Sequence, residues 1–166
     1  VGYQVMQNAT GDVNSNIGMG TNALDALTAG DDNIAIGQDC AQLLTTGVKN
    51  VAIGTGAFDR ASLGEEGNVA IGYEAMGALT EDATSSSVNQ NVAIGQSALL
   101  GGVLASSEAV NQNVAVGYQA MYNTGGSPQT GVVAIGAFAL TALTTGERNL
   151  AIGYQAMDAL TIGDDN

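Results

Sequence analysis

The chain has 166 residues, 24 of them glycine, with one proline, no tryptophan and no histidine. Three basic residues against sixteen acidic ones give a formal net charge of −13, which disfavours contact with nucleic-acid backbones and anionic lipid surfaces. The missing histidine removes the commonest general base and metal ligand, and the single Cys40 cannot form an intrachain disulfide.

Taken in chain order, the sequence repeats itself. "NIGMGTNAL" begins at Asn16, "NIAIGQDCA" at Asn33, "NVAIGTGAF" at Asn50, "NVAIGYEAM" at Asn68 and "NVAIGQSAL" at Asn91. "NVAVGYQAM" follows at Asn113 and "NLAIGYQAM" at Asn149. The glycine closing each run serves as an anchor: Gly2, Gly20, Gly37, Gly54, Gly72, Gly95, Gly117, Gly136 and Gly153, spaced 17 to 23 residues apart. A fixed short period overrides the expectation of one globular domain, so residues 1–166 read as a single repeat array. The closing "GDDN", identical to the letters that lead into Ile34, implies a further copy beyond Asn166 and a fragment of a longer fibre.

Within each copy, two columns of mostly β-branched residues stand two apart, as in Val51 and Ile53, Val69 and Ile71, Val92 and Ile94, Val114 and Val116. That period predicts a short strand, and these side chains are expected to line the coil core. Between them lies an alanine: Ala35, Ala52, Ala70, Ala93, Ala115, Ala134 and Ala151. Because an ordinary solvent face would vary, this small column is expected to pack against another chain and form a trimer interface. Asn33, Asn50, Asn68, Asn91, Asn113 and Asn149 precede the strands. They are expected to form an amide ladder, with a left-handed corner as the rival explanation.

Beyond the anchor, a large apolar residue in the fourth position (Met6, Leu24, Phe58, Met76, Leu99, Met121, Leu140, Met157) and a following "LT" predict a second short strand and a polar turn. Cys40 falls in an alanine slot and reads as a small buried thiol. The expected fold is all-β: a parallel β-roll or β-solenoid of about nine short coils, with the anchor glycines in bends that a Cβ would obstruct. A roll this thin buries little surface alone, which favours a homotrimer. Two intervals exceed the basic coil, leaving expanded loops at 80–90 and 101–112 that are expected to protrude; they lack the aromatics that sugar binding usually requires and read first as idle insertions, with a recognition belt as the alternative.

The repeated Asn-Val-Ala-Ile-Gly resembles the left-handed parallel β-roll heads of trimeric autotransporter adhesins. Its longer form, with "GYQAM" and a "TTG" or "GDDN" loop, resembles the repeats of phage tail fibres still more. The resemblance implies a homotrimeric structural and adhesive segment of a virion tail fibre, presenting a tip to a cell-surface receptor or glycan. It implies coil-forming roles, not catalytic ones, for the matching residues. The alternative is the head or stalk of a bacterial cell-surface trimeric adhesin, also extracellular.

No enzyme, cofactor or metal site is expected. Gly95-Gln96-Ser97-Ala98-Leu99 lacks the closing glycine of a nucleophile elbow, and Gly54-Thr55-Gly56 lacks the third glycine of a dinucleotide loop. The pairs Asp31-Asp32, Glu65-Glu66 and Asp164-Asp165 read as solvated turn charges in preference to Ca²⁺ ligands. No apolar run is long enough to insert in a membrane. A remote alternative, an ice-binding solenoid, rests on the rank Thr28, Thr45, Thr80, Thr144 and Thr161, which breaks at Val103 and Gly125.

Overall fold

The structure, a computed structural model, describes residues 1–81, 86–104, 108–123 and 128–166. In chain order its strands are β1 (Ile17–Met19), β2 (Ile34–Ile36), β3 (Val51–Ile53), β4 (Val69–Ile71), β5 (Thr80–Glu81), β6 (Ser87–Asn89) and β7 (Val92–Ile94). They continue with β8 (Val103–Leu104), β9 (Ala109–Asn111), β10 (Val114–Val116), β11 (Gln129–Thr130), β12 (Val133–Ile135) and β13 (Leu150–Ile152). No helix occurs among the described residues. The main sheet runs β1-β2-β3-β4-β7-β10-β12-β13, and every pairing within it is parallel. The chain is therefore an all-β parallel β-solenoid. Its eight main strands are joined by seven in-register steps, one fewer strand than the nine anchors predict, because only Val1 precedes Gly2. At about 4.8 Å per step the sheet is about 34 Å long.

The roll is turned inside out relative to the expectation from side-chain size. Ala35, Ala70, Ala93, Ala115 and Ala134 are fully buried within this one chain, and Ala52 and Ala151 nearly so. The flanking Val and Ile columns point outward, so Val51, Ile53, Val69, Ile71, Val92, Val114 and Val116 are half-buried and Ile94 is exposed. The alanines are thus the strand's contribution to the coil core, not a trimer interface, and the branched residues are not the core. Alternation says only that the two sets lie on opposite faces. Interior volume decides which set is inside.

That volume is taken by the segment after the bend. Leu24, Phe58, Met76, Leu99, Met121 and Leu140 are buried, and so are the alanines just before them, Ala23, Ala57, Ala75, Ala98, Ala120 and Ala139. Two consecutive inward side chains cannot occur in a strand, where successive residues face opposite ways. The chain forms a run of turns here instead of the expected second strand. The residues two and four past the anchor, such as Glu74 and Met76, have φ of 51° and 52°, and the same left-handed pair recurs in every copy. Left-handed backbone is costly for a bulky side chain. Burial of that side chain and bonds to the next coil, such as Met76 N–H to Ala98 O at 3.0 Å, offset the cost.

Steric detail confirms how thin the interior is. A Cβ added at Gly18, the one copy without alanine, would stand 2.5 Å from Val5 Cγ1 and 3.4 Å from Met6 Cε. Cys40, fully buried in its alanine slot, donates its thiol to Ala52 O at 3.2 Å.

The described parts of 80–90 and 101–112 are not simple protrusions. β5 pairs with β8, and β6, β9 and β11 form a three-stranded sheet. Val88, Leu104 and Val110 from these stretches lie in the core. The longer copies thus widen the coil with extra ladder. Residues 82–85 and 105–107 of the two stretches lie outside the described set.

Candidate functional site

Three features of the surface and interior are candidates for function, beginning with the asparagine ladder. Asn33, Asn50, Asn68, Asn91, Asn113 and Asn149 are buried. Each middle amide repeats the same three bonds. Asn91 Nδ2 donates to Asn68 Oδ1 (3.1 Å) and to Val110 O (2.7 Å), and the Asn91 backbone N–H donates to Asn68 Oδ1 at 3.0 Å. The corner that demands positive φ falls one residue earlier, at Asp32, Lys49, Gln90, Gln112 and Arg148. Hydrogen bonding, not corner tolerance, therefore explains the asparagine. At Val132 the ladder breaks, and buried Gln129 reaches the Leu143 and Thr144 carbonyls instead, both at 3.1 Å.

The turn charges are structural. Asp31 Oδ1 accepts from Asn14 N–H, and Asp164 Oδ1 from Glu147 N–H at 2.8 Å. Glu65 departs from the solvated reading: it is 1% exposed and caps the Ser62 and Leu63 N–H groups. Glu66 is exposed and pairs with Lys49 at 3.0 Å. Arg148 bonds Asp165 and holds that carboxyl below its ordinary value. No group of three or more metal-ligating side chains occurs among the described residues. Three of the threonine hydroxyls bond a carbonyl of the neighbouring coil, Thr28 Oγ1 to Thr45 O at 3.1 Å, Thr45 Oγ1 to Ser62 O at 2.6 Å and Thr144 Oγ1 to Thr161 O at 2.8 Å, whereas Thr80 Oγ1 is buried without a partner.

The second feature is the outward face of the main sheet. Its two rows run from Ile17 to Leu150 and from Met19 to Ile152, and all the side chains in both are apolar. Exposure is largest at the ends, 48% for Ile17 and 64% for Ile152, because interior rows are covered by their own neighbours. Beside the bend, Tyr118, Phe138 and Tyr154 stack edge to face, with centroids 5.2 and 6.2 Å apart.

The third feature is a groove of about 380 Å³ on the turn segment. It exists because glycine stands at two positions where neighbouring coils carry side chains: Gly56, between Asp39 and Glu74, and Gly77, between Asp59 and Leu100. Burial lifts the Asp59 carboxyl above its ordinary 3.8, the nearby Asp39 and Glu74 charges raise it further, and Arg60 opposes them. Tyr73, half exposed, stands on the rim beside Glu74, whose carboxylate raises the phenol's pKa. Of these groove residues the sequence analysis named Thr55 and Gly56, and those only to set aside a dinucleotide loop. The readable signal was the pair of glycines out of step with their columns.

No family model matches the chain, and neither a curated protein nor a solved structure matches it.

Proposed function

We propose that this chain is a structural and adhesive segment of a homotrimeric fibre of the phage tail-fibre kind, three rolls packing through the outward Val/Ile face. The observation that carries the reading is that face. In a chain of net charge −13 it is a flat strip about 34 Å long with no charged or polar side chain. Soluble monomers rarely leave such a strip in water, and like-charged copies can only approach where charge is absent. The threefold number and the extracellular or virion setting come from the resemblance of the repeat. A seamless in-register stack, held by interior amides, suits a rod that carries a receptor-binding tip away from its base.

Light scattering tests the assembly. Val92→Glu with Val114→Glu places charges on the outward face, where a single roll tolerates them, and should convert a trimer into a folded monomer. Ala93→Glu should instead prevent folding, since no interior space exists for it. A wild-type monomer, or a double variant that stays trimeric, refutes the assignment.

A further inference from the structure

We infer that the glycine-floored groove beside Tyr73 is a binding subsite for a neutral pyranose on the flank of the rod. The inference deepens the adhesive reading above and rests on it for the setting, but its geometry is independent of the trimer.

The groove is formed by two departures from the repeat, not by the repeat itself. In other copies the position two past the anchor holds Gln4, Asn22, Asp39, Glu74, Ser97, Gln119, Phe138 or Gln155 at φ between 51° and 62°. Gly56 shares that backbone, at φ 64°, with no side chain. A Cβ there would meet nothing closer than Glu74 Cγ at 3.5 Å, so the gap is not forced by crowding. Gly77 is different: its Cβ would stand 2.6 Å from Gly56 O, so the floor comes as near to the ligand as backbone can.

What lines the floor suits a sugar. A pyranose offers vicinal hydroxyls that donate, ring and glycosidic oxygens that accept, and an apolar face that stacks on an aromatic ring. Asp59 and Glu74 supply acceptors, and Tyr73, on the rim beside them, supplies a ring. The donor is Arg60. Of the three basic residues, Lys49 and Arg148 are engaged in ion pairs, whereas Arg60 is exposed and makes no ion pair among the described residues. Its fan of N–H groups is therefore uncommitted at the groove, despite the surplus of carboxylates around it. The volume, about 380 Å³, lies at the small end of the range for ligand sites and suits one or two rings. Three carboxylates repel uronic and sialic acids, which restricts the class to neutral sugars.

The test is saturation-transfer NMR on the intact chain with methyl glycosides of glucose, galactose, mannose and N-acetylglucosamine as probes, at millimolar concentration. Transfer to at least one glycoside is expected. It should fall on the order of tenfold in Gly56→Gln, which fills the groove with a side chain that the same backbone carries elsewhere. It should fall similarly in Arg60→Ala, an exposed change that leaves the fold intact. Absence of transfer to all four glycosides overturns the inference, and so does transfer that survives both variants. The two readings separate cleanly. A trimer that ignores every glycoside loses only the groove, and a monomer that binds one through Gly56 and Arg60 loses only the trimer.

Discussion

Asn91→Ala should be among the most damaging single truncations of a polar side chain in this fold, and the ladder gives its size. The amide is fully buried, and its removal takes away two donated bonds, to Asn68 Oδ1 and Val110 O. It also removes the acceptor for Asn113 N–H at 3.0 Å and for Asn113 Nδ2 at 3.1 Å. Asn68 Oδ1 keeps the Asn91 backbone N–H, and Asn113 Nδ2 keeps Gln129 O at 2.9 Å. The Asn113 N–H is left without an acceptor in a dry interior, whereas the Val110 carbonyl lies in the parallel β6–β9 ladder and keeps its place there. At about 1–3 kcal/mol for one such group, the loss is about 1–3 kcal/mol. For a chain of this length that corresponds to a drop on the order of 2–10 °C in melting midpoint. The matched control is Asn16→Ala at the end of the stack. Asn16 makes the same kinds of bond but is only half-buried, so water replaces what is lost. Circular dichroism melts of both variants decide the matter. An Asn91→Ala midpoint no lower than that of Asn16→Ala would mean that the ladder contributes no more than its solvated ends, and the reasoning would fail.

Gly72→Ala should destabilise by several kcal/mol, because its Cβ would stand 2.6 Å from the Gly95 carbonyl oxygen at φ +132°; Gly64→Ala, whose nearest contact is Thr46 Oγ1 at 3.6 Å, should change the denaturation midpoint little. Asp59→Asn should raise the melting midpoint at neutral pH. The folded carboxyl titrates above 3.8, so its protonated form is the one the fold favours. The wild type has that advantage in full below 3.8 and loses it as pH rises through the folded value. The difference between variant and wild type should therefore shrink to nothing in melts well below 3.8, and a difference that persists there contradicts the cause assigned. Cys40 should resist a thiol reagent in the native chain and react on denaturation, since burial pushes its pKa up to about 12; rapid native labelling would refute the buried slot.

How much of this was legible in the sequence depends on what each signal encodes. Periodicity determined the solenoid, the parallel in-register stack, the positions of the strands and the buried amide column, because each is a consequence of equivalent residues falling at equivalent points of successive coils. The anchor bend was legible for the same reason: the Gly72 Cβ would collide with Gly95, the same anchor one coil on. Which face is inside was not legible. Alternation distinguishes two faces but carries no sign, and ranking Val and Ile above Ala chose the wrong one. A second signal was present in the adjacent inward pair Ala75-Met76, since two neighbouring apolar columns cannot both lie on one face of a strand. Reading it requires knowing that the segment turns through left-handed backbone. The groove lay further still from the letters. Gly56 and Gly77 are 21 residue numbers apart, and only the stacking of adjacent coils brings them, Asp59, Arg60 and Tyr73 around one volume. Local chemistry and period suffice for a fold that repeats. The inside of the roll and the groove where two glycines depart from their columns depend on how much space the packed coils leave, which only the tertiary structure decides.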